Sequence, residues 1–386
     1  MNAEWNAMLP EATVFHLEKV QSDHCLIKLC FENNREFHPP RPFRFQPMWL
    51  SHPTFPGVVR EAWNNPPSLQ QALSDFTIKA NSWNKNQFGN LFHRKKRILA
   101  RLKGIQESLS ISPCPFLVDL EGKLRMEYPE VANLEEEFWA LKARILWLVE
   151  GDRNTSFYHT SALARRRRNR ILCMKDRVGN WLNGEREIAD FIRKGFSELF
   201  SSSQVSSSLA DWDPPFWKIH LKEDDLTHLN LPVSDEEILA GLWALKPFKS
   251  PGPNGLHVGF FRRFWLVVGD SVRKEVKSIF LSRVILDYLN QNLITLIPKC
   301  KILESLSNYR PISLCNSIYK VVTKIIVGRI RPFLNDLVSP LQSAFVPGRK
   351  GVDNAIIVQE LIHSMKKKKK GRTGVMAIKI DLEKSL

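Results

Sequence analysis

The chain has 386 residues, 43% of them hydrophobic, and its 56 Lys and Arg against 40 Asp and Glu give a formal net charge of +16. That length allows two or three domains with substantial cores, and that charge points to a polyanionic partner, most simply nucleic acid. The six cysteines, Cys25, Cys30, Cys114, Cys173, Cys300 and Cys315, form no Cys-x-x-Cys pair and no zinc-finger spacing with His, so they read as reduced thiols of an intracellular protein. The first residues lack a basic and apolar secretory leader, and no apolar run reaches the ~18 residues of a membrane span. The expected location is nuclear or cytoplasmic, without a membrane partner.

Residues 1–45 predict two short strands, over 14–17 and 25–31, on either side of a polar turn at 21–24. Asp23 and His24 sit in that turn. A histidine accepts a proton near neutral pH and an adjacent carboxylate can position it or a metal, so the pair suits phosphodiester hydrolysis; a plain polar turn is the alternative.

From 41 to 230 the composition turns helical and basic. Trp49, Trp63 and Trp83 read as anchors on packed helices, or alternatively as platforms for stacked bases. His93 to Arg97 predicts a basic turn. Leu134, Phe138, Leu141, Ile145 and Leu148 recur at spacings of four and three, which predicts a helix over 130–150 with one apolar seam facing a partner helix. Arg165, Arg166, Arg167 and Arg168 are adjacent and must be solvated or bound to phosphate. Residues 201–232 are rich in Ser, Pro and Asp and predict a linker with a domain boundary inside it.

Ser234-Asp-Glu-Glu237 is a capping box that opens a helix whose buried face is Ile238, Leu239, Leu242 and Leu245, ended by Pro247. The stretch 246–255, with two glycines, two lysines and three prolines, predicts a rigid, exposed, cationic loop able to lie along a phosphate backbone or simply to connect. Helices are expected over 258–268 and 271–283, and a strand over 292–297 bounded by Pro298. Lys299 and Arg310 then fall at the ends of adjacent strands, where a point charge and a bidentate fork can clamp a triphosphate; ordinary surface cations are the alternative.

A helix over 319–334 carries Val322, Ile325, Ile326, Ile330 and Phe333 among basic residues. Residues 343–349 form a turn, and Asp353 caps a further helix with Ile357, Leu361 and Met365 on one face. Lys366 to Lys370 complement the dipole at its end. Strand period two over 374–381 puts Met376, Ile378 and Ile380 on one face and Asp381 on the other, a strand-end carboxylate suited to a metal or to a helix cap.

Leu293-Ile-Thr-Leu-Ile-Pro-Lys299, Asn308-Tyr-Arg-Pro-Ile-Ser-Leu-Cys-Asn316, Gln342-Ser-Ala-Phe-Val-Pro-Gly-Arg349, Asp353-Asn and Ile380-Asp-Leu-Glu-Lys384, in that order, resemble the front half of the reverse transcriptase of LINE-type non-LTR retrotransposons, particularly those of plants. Lys249-Ser-Pro-Gly-Pro-Asn-Gly255 is similar to the loop that opens such polymerases. Glu150-Gly-Asp-Arg-Asn-Thr-Ser-Phe-Tyr-His159 is similar to a stretch between endonuclease and polymerase, and Ser22-Asp-His24 to the closing motif of an apurinic-type endonuclease.

The resemblance implies an α+β chain in three parts. Residues 1–45 would be a short β remnant of an endonuclease, 46–232 a mainly helical basic linker, and 233–386 the fingers and first palm strand of a right-hand polymerase. It implies RNA and DNA partners, deoxynucleoside triphosphates and Mg²⁺, since family members copy RNA into DNA by two-metal phosphoryl transfer. Asp381 matches the first metal-binding and catalytic Asp. Lys299, Arg310 and Leu382 match nucleotide-binding positions, with the Leu382 carbonyl beside the same metal. Gly348 and Arg349 match a template-binding loop, and Asp23 and His24 an endonuclease remnant. The sequence stops short of the paired-aspartate motif, and Ser385 and Leu386 stand where the family has Ala followed by an aromatic. The expectation is a truncated polymerase, catalytically incompetent alone, or a non-catalytic basic nucleic-acid-binding module derived from one.

Overall fold

A computed structural model describes residues 12–16, 27–30, 42–143, 155–201, 221–300, 303–339, 341–367 and 376–378. They form a mainly helical α+β structure whose strands occur only as antiparallel pairs. Two compact units are present: Met1–Val205 with Ser234–Val321, and Ser206–Val233 with Val322–Leu386.

In the first unit, β1 (Thr13–His16) pairs antiparallel with β2 (Ile27–Cys30), as the pattern predicts. Asp23 and His24 lie outside the described residues. The helices α1 (Phe55–Ala62) and α2 (Leu69–Trp83) follow, the latter opened by the Ser68 side chain, which accepts from the Gln71 N–H at 3.2 Å. Their apolar faces meet an aromatic cluster drawn from two distant stretches of chain. Phe76 and Phe260 ring centroids are 4.8 Å apart, Phe45 and Phe260 5.3 Å, and Phe55 and Phe264 6.0 Å. Tilted and edge-on rings at these spacings add favourable quadrupole contacts to a large burial of apolar area. Trp49, Trp63 and Trp83 are all buried, with Trp63 Nε1 donating to Ser271 Oγ at 3.0 Å. These tryptophans are core, and the stacking alternative falls away.

Asn90 caps α3 (Leu91–Ile111) by accepting from the Phe92 and His93 amides at 3.0 and 3.2 Å. The basic residues 93–97 are therefore its opening turns and not the expected basic turn; the cap starts the helix before them, and Leu91, Ile98 and Ile105 give it a buried stripe. α4 (Pro115–Ala143) starts well before the predicted 130 and continues through Pro129. A proline removes one backbone bond, but α3 lies antiparallel alongside and holds both sides of it. Arg94 Nε donates to Glu127 at 2.7 Å, Lys95 Nζ to Glu135 at 2.5 Å and Gln106 Nε2 to Glu121 at 3.0 Å. The expected seam finds its partner there, with Phe92 5.4 Å from Phe138; Ile145 and Leu148 lie outside the described residues. α5 (Thr155–Arg168) carries the four arginines at its C-terminal turn, where cations complement the dipole, and Arg165 Nη2 donates to the Ala143 carbonyl at 2.6 Å.

The helical region also contains a hairpin that the sequence did not announce, β3 (Met174–Lys175) with β4 (Trp181–Leu182). Asp176 makes its turn by accepting from Val178 N–H at 2.9 Å and Asn180 N–H at 2.8 Å. α6 (Glu185–Phe200) follows.

Residues 223–230, expected to be linker, form α7 (Glu223–Asn230), because Asp225 accepts from the Lys222 N–H at 3.0 Å and three acids face the dipole of the first turn. α8 (Asp235–Trp243) has the predicted capping box: Ser234 Oγ accepts from Glu237 N–H at 3.2 Å, and Glu237 from Ser234 N–H at 3.4 Å. Its buried face is Ile238, Gly241 and Leu242, while Leu239 is exposed. The expected helices 258–268 and 271–283 are instead α9 (Val258–Arg263) and α10 (Trp265–Ser282), breaking at Phe264 so that Phe260, Phe261 and Phe264 all reach the aromatic cluster.

In the second unit, Arg329 Nη1 donates to the carbonyls of Leu229 and Leu231 at 3.1 and 2.6 Å, closing the end of α7. Met376 to Ile378, the described part of the strand predicted over 374–381, are not in a strand, and Met376 and Ile378 are exposed. A strand requires a hydrogen-bonding neighbour, and among the described residues none pairs with them. No described helix is long and apolar enough to cross a membrane.

Candidate nucleotide-facing site

α11 (Asp287–Asn290) leads into β5 (Asn292–Pro298), which pairs antiparallel with β6 (Tyr309–Cys315) from Asn292↔Cys315 to Pro298↔Tyr309. The Lys299 N–H donates to the Asn308 carbonyl at 2.8 Å, which carries the ladder one residue further. Lys299 follows the last paired residue of β5, and Arg310 is the partner of Ile297 in the register. Both cations expected to form a clamp thus lie at the same end of the hairpin.

Their surroundings differ. Lys299 Nζ donates to the Ser307 carbonyl at 2.8 Å, while Arg310 is exposed and forms no salt bridge among the described residues. The turn between the strands is held by Asn308, whose Oδ1 accepts from the N–H groups of Glu304 and Ser305 at 3.2 and 2.9 Å. The β3–β4 hairpin braces the same turn. Lys175 N–H donates to the Glu304 carbonyl at 2.6 Å, and Lys175 Nζ pairs with the Glu304 carboxylate at 2.7 Å. Tyr309 is buried beside it, and burial raises its phenol above the ordinary value.

The far end of the hairpin is fixed by Asn316, which is 1% exposed. Its Nδ2 donates to the carbonyls of Tyr288 and Leu289 at 3.0 and 3.2 Å, and its Oδ1 accepts from the Asn254 N–H at 3.2 Å. Ser317 Oγ donates to the Leu256 carbonyl at 2.7 Å as α12 (Ser317–Ile330) begins. Through these bonds the 246–255 loop is drawn into the structure. Pro251, Gly252 and Gly255 are buried, a correction to the exposed loop expected; only Lys246, Phe248 and Lys249 of its bulky residues face solvent. Lys320 Nζ donates to the Ser250 carbonyl at 3.3 Å, and burial lowers its pKa below that of a free lysine. Within α12 the buried apolar residues are Ile318, Val321, Val322 and Ile325, whereas Ile326 and Ile330 are exposed.

In the second unit Gly348 has φ +83° in the predicted turn. The neighbouring Arg349 is occupied: Nη1 donates to Ser339 and Gln342 carbonyls at 2.5 and 2.8 Å, and Nη2 to Val338 at 3.1 Å. It gathers the carbonyls left open where a helical turn ends at 337. α13 (Gly351–Lys367) begins two residues before Asp353, which stands in its first turn and not at its cap. Ile357 and Leu361 on this helix are more than half exposed.

Asp381 and Leu382 lie outside the described residues. Among those described, no three His, Cys, Asp or Glu side chains are grouped to hold a metal ion, so the described part does not itself fit Mg²⁺. What it offers is a cationic hairpin end.

That end lies in a segment with a recognisable class. Residues 297–385 match the family model described as reverse transcriptase (RNA-dependent DNA polymerase), a span that holds Lys299, Arg310, Gly348, Arg349, Asp381 and Leu382 and makes up less than a quarter of the chain. A particular relative extends the likeness upstream. The chain is 28% identical over 277 residues to the "Transposon TX1 uncharacterized 149 kDa protein" of Xenopus laevis, an alignment covering 70% of this chain and 20% of that protein. The chain thus spans about a fifth of the length of this relative.

Asn316 and the Lys175–Glu304 brace were not singled out from the sequence. The buried asparagine had no distinguishing neighbour signal, and the brace joins residues far apart in the chain.

Proposed function

We propose that this chain is the nucleotide- and template-facing part of an RNA-directed DNA polymerase of the non-LTR retrotransposon kind. The observation that supports the reading is the β5–β6 hairpin, which carries Lys299 just past the end of β5 and an exposed Arg310 near the start of β6, within the segment that matches reverse transcriptases. An exposed, uncommitted guanidinium can take two phosphate oxygens at once, and an ammonium held by one carbonyl can turn to a third. Family polymerases use divalent metal, and Asp381 is the residue of this chain matched to that role. With one matched carboxylate, the 386 residues alone bind substrates without extending a primer, because two-metal transfer needs further ligands. The β1–β2 hairpin, whose connection carries Asp23 and His24, supports reading residues 1–45 as the end of an endonuclease. A nuclear or cytoplasmic location fits the same reading.

Titration of the chain with a fluorescent deoxynucleoside triphosphate tests this. Arg310→Ala is expected to weaken binding about tenfold, the loss of a charge-assisted hydrogen-bonded contact of roughly 1.5 kcal/mol. Equal binding by the variant, or none by the wild type, would sink the triphosphate role.

The net charge of +16 favours a second reading, a non-catalytic nucleic-acid-binding module. Primer extension with Mg²⁺ separates it: incorporation above that of Asp381→Ala would exclude both the module and the incompetence of the isolated chain.

A further inference from the structure

A cleft of about 1050 Å³ lies upstream of the segment that matches reverse transcriptases, lined by His52, Phe88, His93, Arg94, Lys96 and Arg97. We propose that it binds the backbone of single-stranded nucleic acid, independently of the triphosphate site.

The charge is arranged and not merely abundant. His93, Lys96 and Arg97 stand at i, i+3 and i+4 of α3, which sets them on one helix face, apart from the buried stripe of Leu91, Ile98 and Ile105. Arg94 is neutralised by Glu127 at 2.7 Å, and Lys95, just outside the cleft, by Glu135 at 2.5 Å. Lys96 and Arg97 are exposed and have no ion-pair partner among the described residues. A folded chain that pairs two neighbouring cations and leaves the next two open has a concave cationic surface free for phosphate.

His52 adds an oriented donor. Trp83 Nε1 donates to Thr54 Oγ1 at 2.9 Å, so that hydroxyl directs its own proton to His52 Nδ1, 3.0 Å away. The Thr54 backbone N–H also points to Nδ1, at 3.4 Å. Nδ1 is thereby an acceptor and the ring proton is kept on Nε2, a donor on a ring that lines the cleft. The ring is itself held edge-on to Trp83 at 5.2 Å and Phe88 at 6.2 Å.

Concavity and aromatic content decide between forms of nucleic acid. Duplexes are read by helices or ribbons that protrude into grooves, whereas single strands enter basic channels and stack on exposed aromatic faces. A cleft of this size with Phe88 and His52 in its wall suits the second.

Fluorescence anisotropy of the whole chain with a labelled single-stranded oligoribonucleotide, across a salt series, tests the proposal. Lys96→Ala/Arg97→Ala is expected to lower affinity at least about tenfold and to reduce the slope of log affinity against log salt by about 1.4, for two lost phosphate contacts. Lys96→Arg/Arg97→Lys should retain most of the binding. Lys194→Ala/Lys274→Ala, which removes the same charge elsewhere, and Arg310→Ala should leave it nearly unchanged. The proposal is overturned if the cleft variant binds as wild type, if the Lys194/Lys274 variant loses as much, or if a duplex binds as well and loses equally. Because Arg310→Ala is read on triphosphate and the cleft variant on oligonucleotide, either site can fail without the other.

Discussion

Arg310 and Arg349 are the same residue type in the same matched segment, yet their surroundings give them different work. Arg310 stands open on a strand, while Arg349 is spent on the carbonyls of 338–342. Asn316 shows a third case, a polar side chain buried because its bonding capacity is met by Tyr288, Leu289 and Asn254. Asn316→Ala leaves those groups buried without partners, and it is expected to cost about 3 kcal/mol. Urea unfolding would show this as a lower midpoint with an unchanged slope; a loss under about 0.5 kcal/mol would mean that water or relaxation replaces the bonds.

At the scale of elements, the β5–β6 hairpin is a two-stranded ribbon, and such ribbons are marginal in isolation. It keeps its register through its braces: the Lys175–Glu304 contacts at one end, and Asn316 with the 246–255 loop at the other. The loop's close fit depends on Gly255, where φ is +73° and a Cβ would stand 2.0 Å from the Phe43 carbonyl oxygen. Gly255→Ala is therefore expected to destabilise by more than about 2 kcal/mol, from strain and from displacement of the 42–45 segment. Gly57→Ala in α1 is the control, since nothing lies within 4 Å of the added methyl and the helical backbone accepts it. Thermal melts of the two variants that coincide would refute the packing argument.

At the scale of the molecule, the first unit has one aromatic core assembled from 43–83 and 256–279. Neither stretch can bury Phe45, Phe55, Phe76 and Phe260 without the other, because their rings are each other's surroundings. A fragment of residues 42–205 is accordingly expected to show helical circular dichroism without a sharp cooperative melt, and a chain of 42–321 to recover one. Cooperative unfolding of the shorter fragment would show that the upstream helices have a sufficient core of their own.

Local signals were legible wherever a few neighbouring residues settle the matter. The capping box at Ser234, the strand ending at Pro298, the strand pair at 13–30 and the need of the Leu134 seam for a partner all follow from spacing and from bonds made within a turn or two. The positions of Lys299 and Arg310 at the ends of adjacent strands were legible for the same reason. Burial and partnership were not. The Pro-Gly loop reads as exposed until Asn316 and Phe43 close on it, the helix of the Leu134 seam reads as starting at 130 until α3 supports it on both sides of Pro129, and Leu239 reads as core until the neighbouring elements take the other face. The sequence alone determined the chain's charge, its local starts and stops and the resemblance of its matched segment. Only the tertiary structure decided which cations are spent on carbonyls and carboxylates and which stay open to phosphate, because that choice is made by groups distant in sequence that compete for the same donors.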